Sequence, residues 1–188
     1  MEVKFTKYCR SILFTPGNMA DRFAKGHRAG ADISLLDLED SVAANAKALA
    51  RRNVEAFLDH NALIAGGTLA VRINAVTDPD GLADLLYLRS ASRKPQIVMV
   101  PKVESARDIE VAEKVLVDTC PQVRLMAVVE TARGIERAAE IAAASSRLTA
   151  LVFGSADYAL SVGSTRDWAP LYFARARLIM AARSAGVR

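Results

Sequence analysis

Leu125-Met126-Ala127-Val128-Val129-Glu130-Thr131 and Leu148-Thr149-Ala150-Leu151-Val152-Phe153-Gly154-Ser155-Ala156-Asp157 decide the fold. Each contains a short run that is apolar on both faces and rich in β-branched residues, the signature of a strand buried on both sides. Such strands belong to parallel sheets covered by helices. Each run leads into a carboxylate, Glu130 or Asp157. In a parallel sheet both acids are expected at the same, carboxyl end of neighbouring strands, where α/β proteins build their sites. Two carboxylates so placed suit a hard divalent cation such as Mg²⁺.

The same strand-then-helix pattern repeats outward from these runs. Strands are predicted over residues 10–15, 32–38, 68–74, 96–102, 124–130 and 150–155. Asn18 is expected to cap a first helix that stops at Gly30. Residues 43–58 are rich in good helix formers, Pro79 stands at the start of a third helix, and Ser105 with Asp108 resembles a capping box. Residues 134–144 and 170–185 give two more helices. Six such units with short linkers imply right-handed crossovers. A closed (β/α)₈ barrel needs eight units and typically about 250 residues, whereas this chain has 188. Gly186 reads as the cap of the sixth helix and Val187 as the opening of a seventh strand. The expected fold is therefore α/β: one TIM (β/α)₈-type barrel domain over residues 1–188, truncated after about six units and lacking the C-terminal ones. An open doubly wound sheet is the alternative, but no Gly-x-Gly-x-x-Gly turn follows the first strand.

Composition narrows the function. Hydrophobic residues make up 52% and charged residues 24% of the chain, which suits central strands that see no water. No apolar run approaches the roughly 20 residues of a membrane span, and residues 1–7 lack the apolar segment of a signal peptide. A cytoplasmic protein without membrane contact is expected. The net charge of +4 comes from scattered basic residues without aromatic partners, so no nucleic-acid partner is expected and anionic small molecules fit better. Cys9 and Cys120 read as buried or semi-buried thiols, and His27 and His60 as surface histidines.

Several strand ends carry candidate chemistry. Pro16-Gly17 closes the first strand in a tight loop. Asp37-Leu38-Glu39-Asp40-Ser41 crowds three acids that repel unless a cation, an arginine or water separates them; the plainer reading leaves Asp40 or Ser41 as a helix cap. Arg72, in Val71-Arg72-Ile73-Asn74, lies inside a buried strand and must be paired. It is either a counter-ion to Asp37 or Glu39, or a bidentate ligand for a substrate carboxylate or enolate oxygen, and both roles are compatible. Lys102 ends the fourth strand among carboxylates that hold it charged, which favours an electrostatic partner over a Schiff base. In Gly154-Ser155-Ala156-Asp157-Tyr158 the small residues would let a ligand approach the backbone.

Taken in order, residues 11–17, 36–42, 71–74, 101–105, 129–134 and 154–158 resemble the citrate lyase β-subunit-like (CitE-like) proteins of the HpcH/HpaI aldolase/citrate lyase superfamily. Val-Glu-Thr-Ala-Arg-Gly and Leu-Asp-Leu-Glu-Asp-Ser-Val are the sharpest segments. The resemblance implies a TIM barrel, Mg²⁺, and cleavage of a carbon–carbon bond next to a carbonyl. Glu130 and Asp157 match the metal ligands. Arg72 and Glu130 match positions that contact substrate and carry catalysis, while Asp37, Glu39 and Asp40 match the acidic strand end near the metal's waters. Lys102, Pro16, Gly17 and Asn74 are expected beside the substrate. The implied reaction is retro-Claisen or aldol cleavage of a citryl, citramalyl or malyl thioester, on coenzyme A or a carrier protein, to an acetyl thioester and a 2-oxo acid. The alternatives are a metal-dependent aldolase specific for pyruvate or oxaloacetate, and a truncated non-catalytic subunit. The pyruvate aldolases typically carry a histidine near the acidic strand end, where this chain has none. Related lyases draw a further acidic residue from a C-terminal region or a neighbouring subunit, and no position here matches it. A homo-oligomer, or a place in a lyase complex, is expected.

Overall fold

A computed structural model of the chain describes residues 9–60 and 67–188; residues 1–7, read above as lacking a leader, fall outside them. Six strands form one sheet: β1 (Ile12–Pro16), β2 (Ile33–Asp37), β3 (Thr68–Arg72), β4 (Ile97–Val100), β5 (Arg124–Val129) and β6 (Leu148–Phe153). Every pairing is parallel and the spatial order follows the chain order without reversal. A doubly wound sheet would reverse direction at a switch point. The sequential order is instead the winding of a (β/α) barrel.

The helices are α1 (Ala20–His27), α2 (Lys47–His60), α3 (Pro79–Ser90), α4 (Ala106–Leu116), α5 (Ala132–Glu136), α6 (Ala138–Ala142), α7 (Ser155–Ser161) and α8 (Trp168–Ser184). Strand alternation sorts the apolar residues into two cores. Ile33, Leu35, Ala70, Ile97, Met99, Met126, Val128 and Ala150 pack together on the inner face. Their neighbours Leu36, Val71, Val98, Leu125, Ala127 and Val129 face the helices and join the outer core. In α8 the buried Leu171, Ala174, Leu178, Ala181 and Ala182 keep helical spacing and define the stripe laid against the sheet.

Several local expectations shift. No side chain caps α1; Met19, not Asn18, flanks it. The single helix expected over 134–144 breaks into α5 and α6 at Arg137, whose φ of −99° and ψ of 12° leave helical geometry. The helix α7 was not anticipated, because its seven residues directly follow β6 and carry no apolar repeat. The capping box holds: Asp108 accepts the Ser105 N–H at 3.0 Å. Pairing beyond β6 begins one residue later than expected. Arg188 donates its N–H to the Thr149 carbonyl and accepts from the Leu151 N–H at 2.7 Å.

A polar clamp ties the carboxyl ends of β2 and β3 to the helices. Lys47 Nζ donates to the Leu38 and Glu39 carbonyls and to Asn74 Oδ1, each at 2.7 Å. Asn74 donates through its backbone and Nδ2 to Asp84, a fully buried acid that also takes Arg51 Nε at 2.6 Å. Arg51→Met would strand the Asp84 charge, so a loss of about 3–5 kcal/mol of stability is expected in urea unfolding.

Candidate active site

The inner face ends in charge. Asp37 follows Leu35 by two residues and Arg72 follows Ala70 by two, and the two are register partners across β2 and β3. Arg72 Nε and Nη2 each donate to Asp37 at 2.7 Å, a fork-on-fork pair. Asp37 is buried and also accepts from the Glu39 N–H, the Ser41 N–H and the Ser41 hydroxyl. Burial alone would raise its carboxyl, but Arg72 and Ser41 outweigh that and hold it below the usual range. Arg72 Nη1 lies 2.8 Å from one oxygen of Glu39, and Lys102 Nζ lies 2.9 Å from the other. Both contacts are ion pairs set off the hydrogen-bond directions, and burial pushes the Glu39 carboxyl above its ordinary value. The Arg72 guanidinium stacks 5.0 Å from the Phe14 ring centroid.

Lys102 joins this cluster to the next strand. Burial works against its charge, but contact with Glu39 and the nearby Asp40 carboxylate, 3.5 Å from Nζ, raises its pKa well above the ordinary range. Its backbone takes a left-handed φ of 51°, and its N–H donates to Glu130 Oε1 at 2.9 Å. Glu130 follows β5 and is 5% exposed. Burial pushes its carboxyl up to about 7, reinforced by the charges of Glu39 and Asp157. Its other oxygen lies against Gly154, where a Cβ would fall 2.2 Å from Oε2. The small residue therefore makes room for Glu130. Asp157 departs from expectation in one respect. It does not project from the tip of β6, which ends at Phe153, but sits in the first turn of α7.

One cavity of about 750 Å³ opens over these strand ends. Of the ten residues singled out from sequence, Asp40, Lys102, Glu130 and Asp157 line it. Asp37, Glu39 and Arg72 form the ion-pair network joined to it through Lys102 and Asp40. The remaining three belong to the frame. Asn74 is buried with its amide spent on Asp84, Leu38 and Lys47. Gly17 donates to the Asp37 carbonyl at 2.7 Å and accepts from Asn53, and Pro16 pairs with Asp37 at the end of β1. These three do not line the cavity.

Sequence reasoning missed Arg133 and Arg137 on the cavity wall and Phe14 under Arg72. Phe14 was legible in principle: it shares period-two spacing with Ile12 and Pro16 on β1. The histidine expectation is half met, since His60 is exposed but His27 is half-buried. Cys9 is partly and Cys120 fully buried, both as free thiols.

The donor set fits a hard dication. Among the described residues no group of three or more His, Cys, Asp or Glu side chains could enclose a metal. Mg²⁺ is commonly held by one or two carboxylates with water and ligand oxygens completing the shell, and Glu130 and Asp157 supply that number on one wall. No helix among the described residues is long and apolar enough to cross a membrane.

A model of the HpcH/HpaI aldolase/citrate lyase family matches residues 10–188. The citrate lyase subunit beta of Escherichia coli (strain K12) is 35% identical over 198 residues, covering 100% of this chain and 64% of that protein. The L-malyl-CoA/beta-methylmalyl-CoA lyase of Rhodobacter capsulatus is 33% identical over 205 residues, covering 95% and 64%. The chain thus spans 64% of the length of both relatives. A citrate lyase beta subunit from M. tuberculosis, solved with oxaloacetate and magnesium, superposes with a TM-score of 0.75 at 32% identity, covering 94% of this chain and 74% of that one.

Glu130 gives the site a pH signature of its own. Its folded value of about 7 exceeds the ordinary 4.5, so the stability it contributes is present below the ordinary value and is lost as pH rises through about 7. Thermal unfolding should show Tm falling by several degrees between pH 5 and pH 8, since each pKa unit is worth at most about 1.4 kcal/mol and about 1 kcal/mol moves Tm by about 2–4 °C at this size. Glu130→Gln should flatten that slope.

Proposed function

The chain belongs to the HpcH/HpaI aldolase/citrate lyase family, and from that premise we propose that it is a Mg²⁺-dependent carbon–carbon lyase. Its substrate is a citryl, citramalyl or malyl thioester, cleaved to an acetyl thioester and a 2-oxo acid. The observation that carries this reading is Glu130 and Asp157 sharing one cavity wall beside a charged cluster that holds Arg72 by its fork.

Glu130 and Asp157 are the residues that would hold Mg²⁺. Bound there, the ion supplies Lewis-acid polarisation of the carboxylate and neighbouring oxygen of the oxo acid, and a template for their orientation. The chain's residues do the rest. Asp37 takes one N–H from each of Nε and Nη2 of Arg72, and Glu39 lies beside Nη1 as an ion pair. A guanidinium carries five such donors, so the N–H groups on Nη1 and Nη2 that make no hydrogen bond would meet a developing oxyanion on the substrate. Asp37 holds the plane of the guanidinium, and Phe14 covers one face of it. As the bond between the carbinol carbon and the thioester α-carbon breaks, its electron pair passes into the thioester carbonyl and the hydroxyl proton leaves. Asp40 lines the cavity with its side chain 56% exposed, so it can take that proton directly or through water and pass it to the thioester α-carbon, which turns the enolate into the acetyl thioester. Lys102 stays charged beside it and offsets the negative charge that a 2-oxo acid brings.

The partners expected are the thioester, on coenzyme A or a carrier protein, and the 2-oxo acid. A cytoplasmic homo-oligomer is the form this reading favours. Trp168, Tyr172, Phe173, Ile179 and Met180 of α8 are each at least 60% exposed, and such a patch is commonly covered by a second surface.

Calorimetry and turnover test the assignment together. Glu130→Gln and Asp157→Asn should each weaken Mg²⁺ binding at least tenfold with little loss of fold. Arg72→Lys should depress turnover of the thioester far more than metal affinity, because a point charge cannot reproduce the planar fork. Unchanged metal affinity in both acid variants would refute the site. Turnover of free 4-hydroxy-2-oxo acids in preference to thioesters would move the function to the aldolase class.

A further inference from the structure

We propose that Gly154 and the left-handed backbone of Lys102 are positioning residues that together fix the Glu130 carboxylate in the cavity. The inference deepens the reading of Glu130 as a metal ligand, but its geometry stands without a metal. Lys102 is the one non-glycine residue with positive φ among the described residues. That conformation is uncommon outside glycine and a pointer to function.

The excursion has a visible result. After β4 the chain passes Pro101 and turns at Lys102, sending its N–H to Glu130 Oε1 at 2.9 Å. It rejoins the sheet at once, with the Val103 N–H on the Val128 carbonyl at 3.0 Å. β4 ends at Val100, and the Lys102 N–H beyond it is spent on the acid that follows the neighbouring strand. On the far side of Glu130, β6 ends and Gly154 donates its N–H to the Val129 carbonyl at 3.2 Å. A Cβ at Gly154 would lie 2.2 Å from Glu130 Oε2 and 2.5 Å from its Cβ. The obstruction would fall on the base and the tip of the side chain at once, so no small torsion relieves it. One backbone group thus pulls the carboxylate from β4, and one missing side chain admits it beside β6. Asp157, three residues after Gly154, approaches Glu130 on the same turn.

The test uses the full chain, first without metal. In ¹⁵N–¹H spectra the Lys102 amide reports its bond to Glu130, with Glu130→Ala giving the shift for a lost acceptor. Gly154→Ala should move the Lys102 amide most of the way to that value. In the second arm Mn²⁺ is the probe. Gly154→Ala should weaken Mn²⁺ binding at least tenfold. Lys102→Gly and Lys102→Val both lose the ammonium, but only glycine keeps the left-handed backbone without strain. Lys102→Gly should therefore bind Mn²⁺ at least tenfold more tightly than Lys102→Val. An unmoved Lys102 amide in Gly154→Ala, or equal affinities for the two Lys102 variants, would each overturn the proposal. Absence of Mn²⁺ binding by the unaltered chain would instead defeat the metal reading of Glu130, and the amide spectra would still decide whether it is positioned as described.

Discussion

Charge imbalance at the mouth of the sheet is the constraint on which the rest of the structure depends. Asp37, Glu39, Asp40, Glu130 and Asp157 gather there, and Arg72 and Lys102 are the cations that meet them. Three of these acids are at most 5% exposed, so water cannot offset the repulsion cheaply. The molecule divides the load. Asp37 takes the fork of Arg72 and stays ionised. Glu39 shares Arg72 and Lys102. Glu130 has a single backbone N–H and is left at about 7. A dication beside Glu130 and Asp157 would offset the excess that remains.

Holding such a cluster requires a stiff frame, and the surrounding polar clamp provides one. Lys47 grips the carbonyls of Leu38 and Glu39, the stretch that delivers the acidic loop. Asn74 and Asp84 lock the exit of β3 against α3. Gly17 pins the end of β1 to the Asp37 carbonyl. Asn74 and Asp84 are buried and Lys47 is half-buried, all with partners inside the protein, and such networks specify one arrangement of backbone when complete. The catalytic reading thus draws on two layers: acids and cations in the mouth, and amide and ammonium groups that fix the backbone carrying them.

The strands were legible because each is a short apolar run between clear breaks, and burial on both faces leaves few other interpretations of a sequence such as Leu125–Val129. Their parallel order followed from the intervening helices. Glu130, Lys102, Asp40 and Asp157, which line the cavity, drew notice in the sequence because charge after an apolar strand has few structural uses. The structural part played by Asn74 and Gly17 was not legible. A polar or flexible residue at a strand end resembles a ligand contact until its partners are known, and Lys47, Asp84 and Asn53, which claim them, lie in helices far along the chain. The helix α7 escaped notice because seven residues cannot establish a period, and so Asp157 was placed on a strand tip. The role of Gly154 turns on a distance across two strands, which no local pattern encodes.

A crystal soaked in Mn²⁺, with anomalous scattering measured near the manganese edge, tests the central claim most directly. The account predicts one strong peak in the cavity within about 2.0–2.2 Å of carboxylate oxygens from both Glu130 and Asp157, the range expected for a small octahedral dication. A peak bound to other residues, or no peak while Glu130 keeps its place and Asp157 turns to solvent, would contradict it.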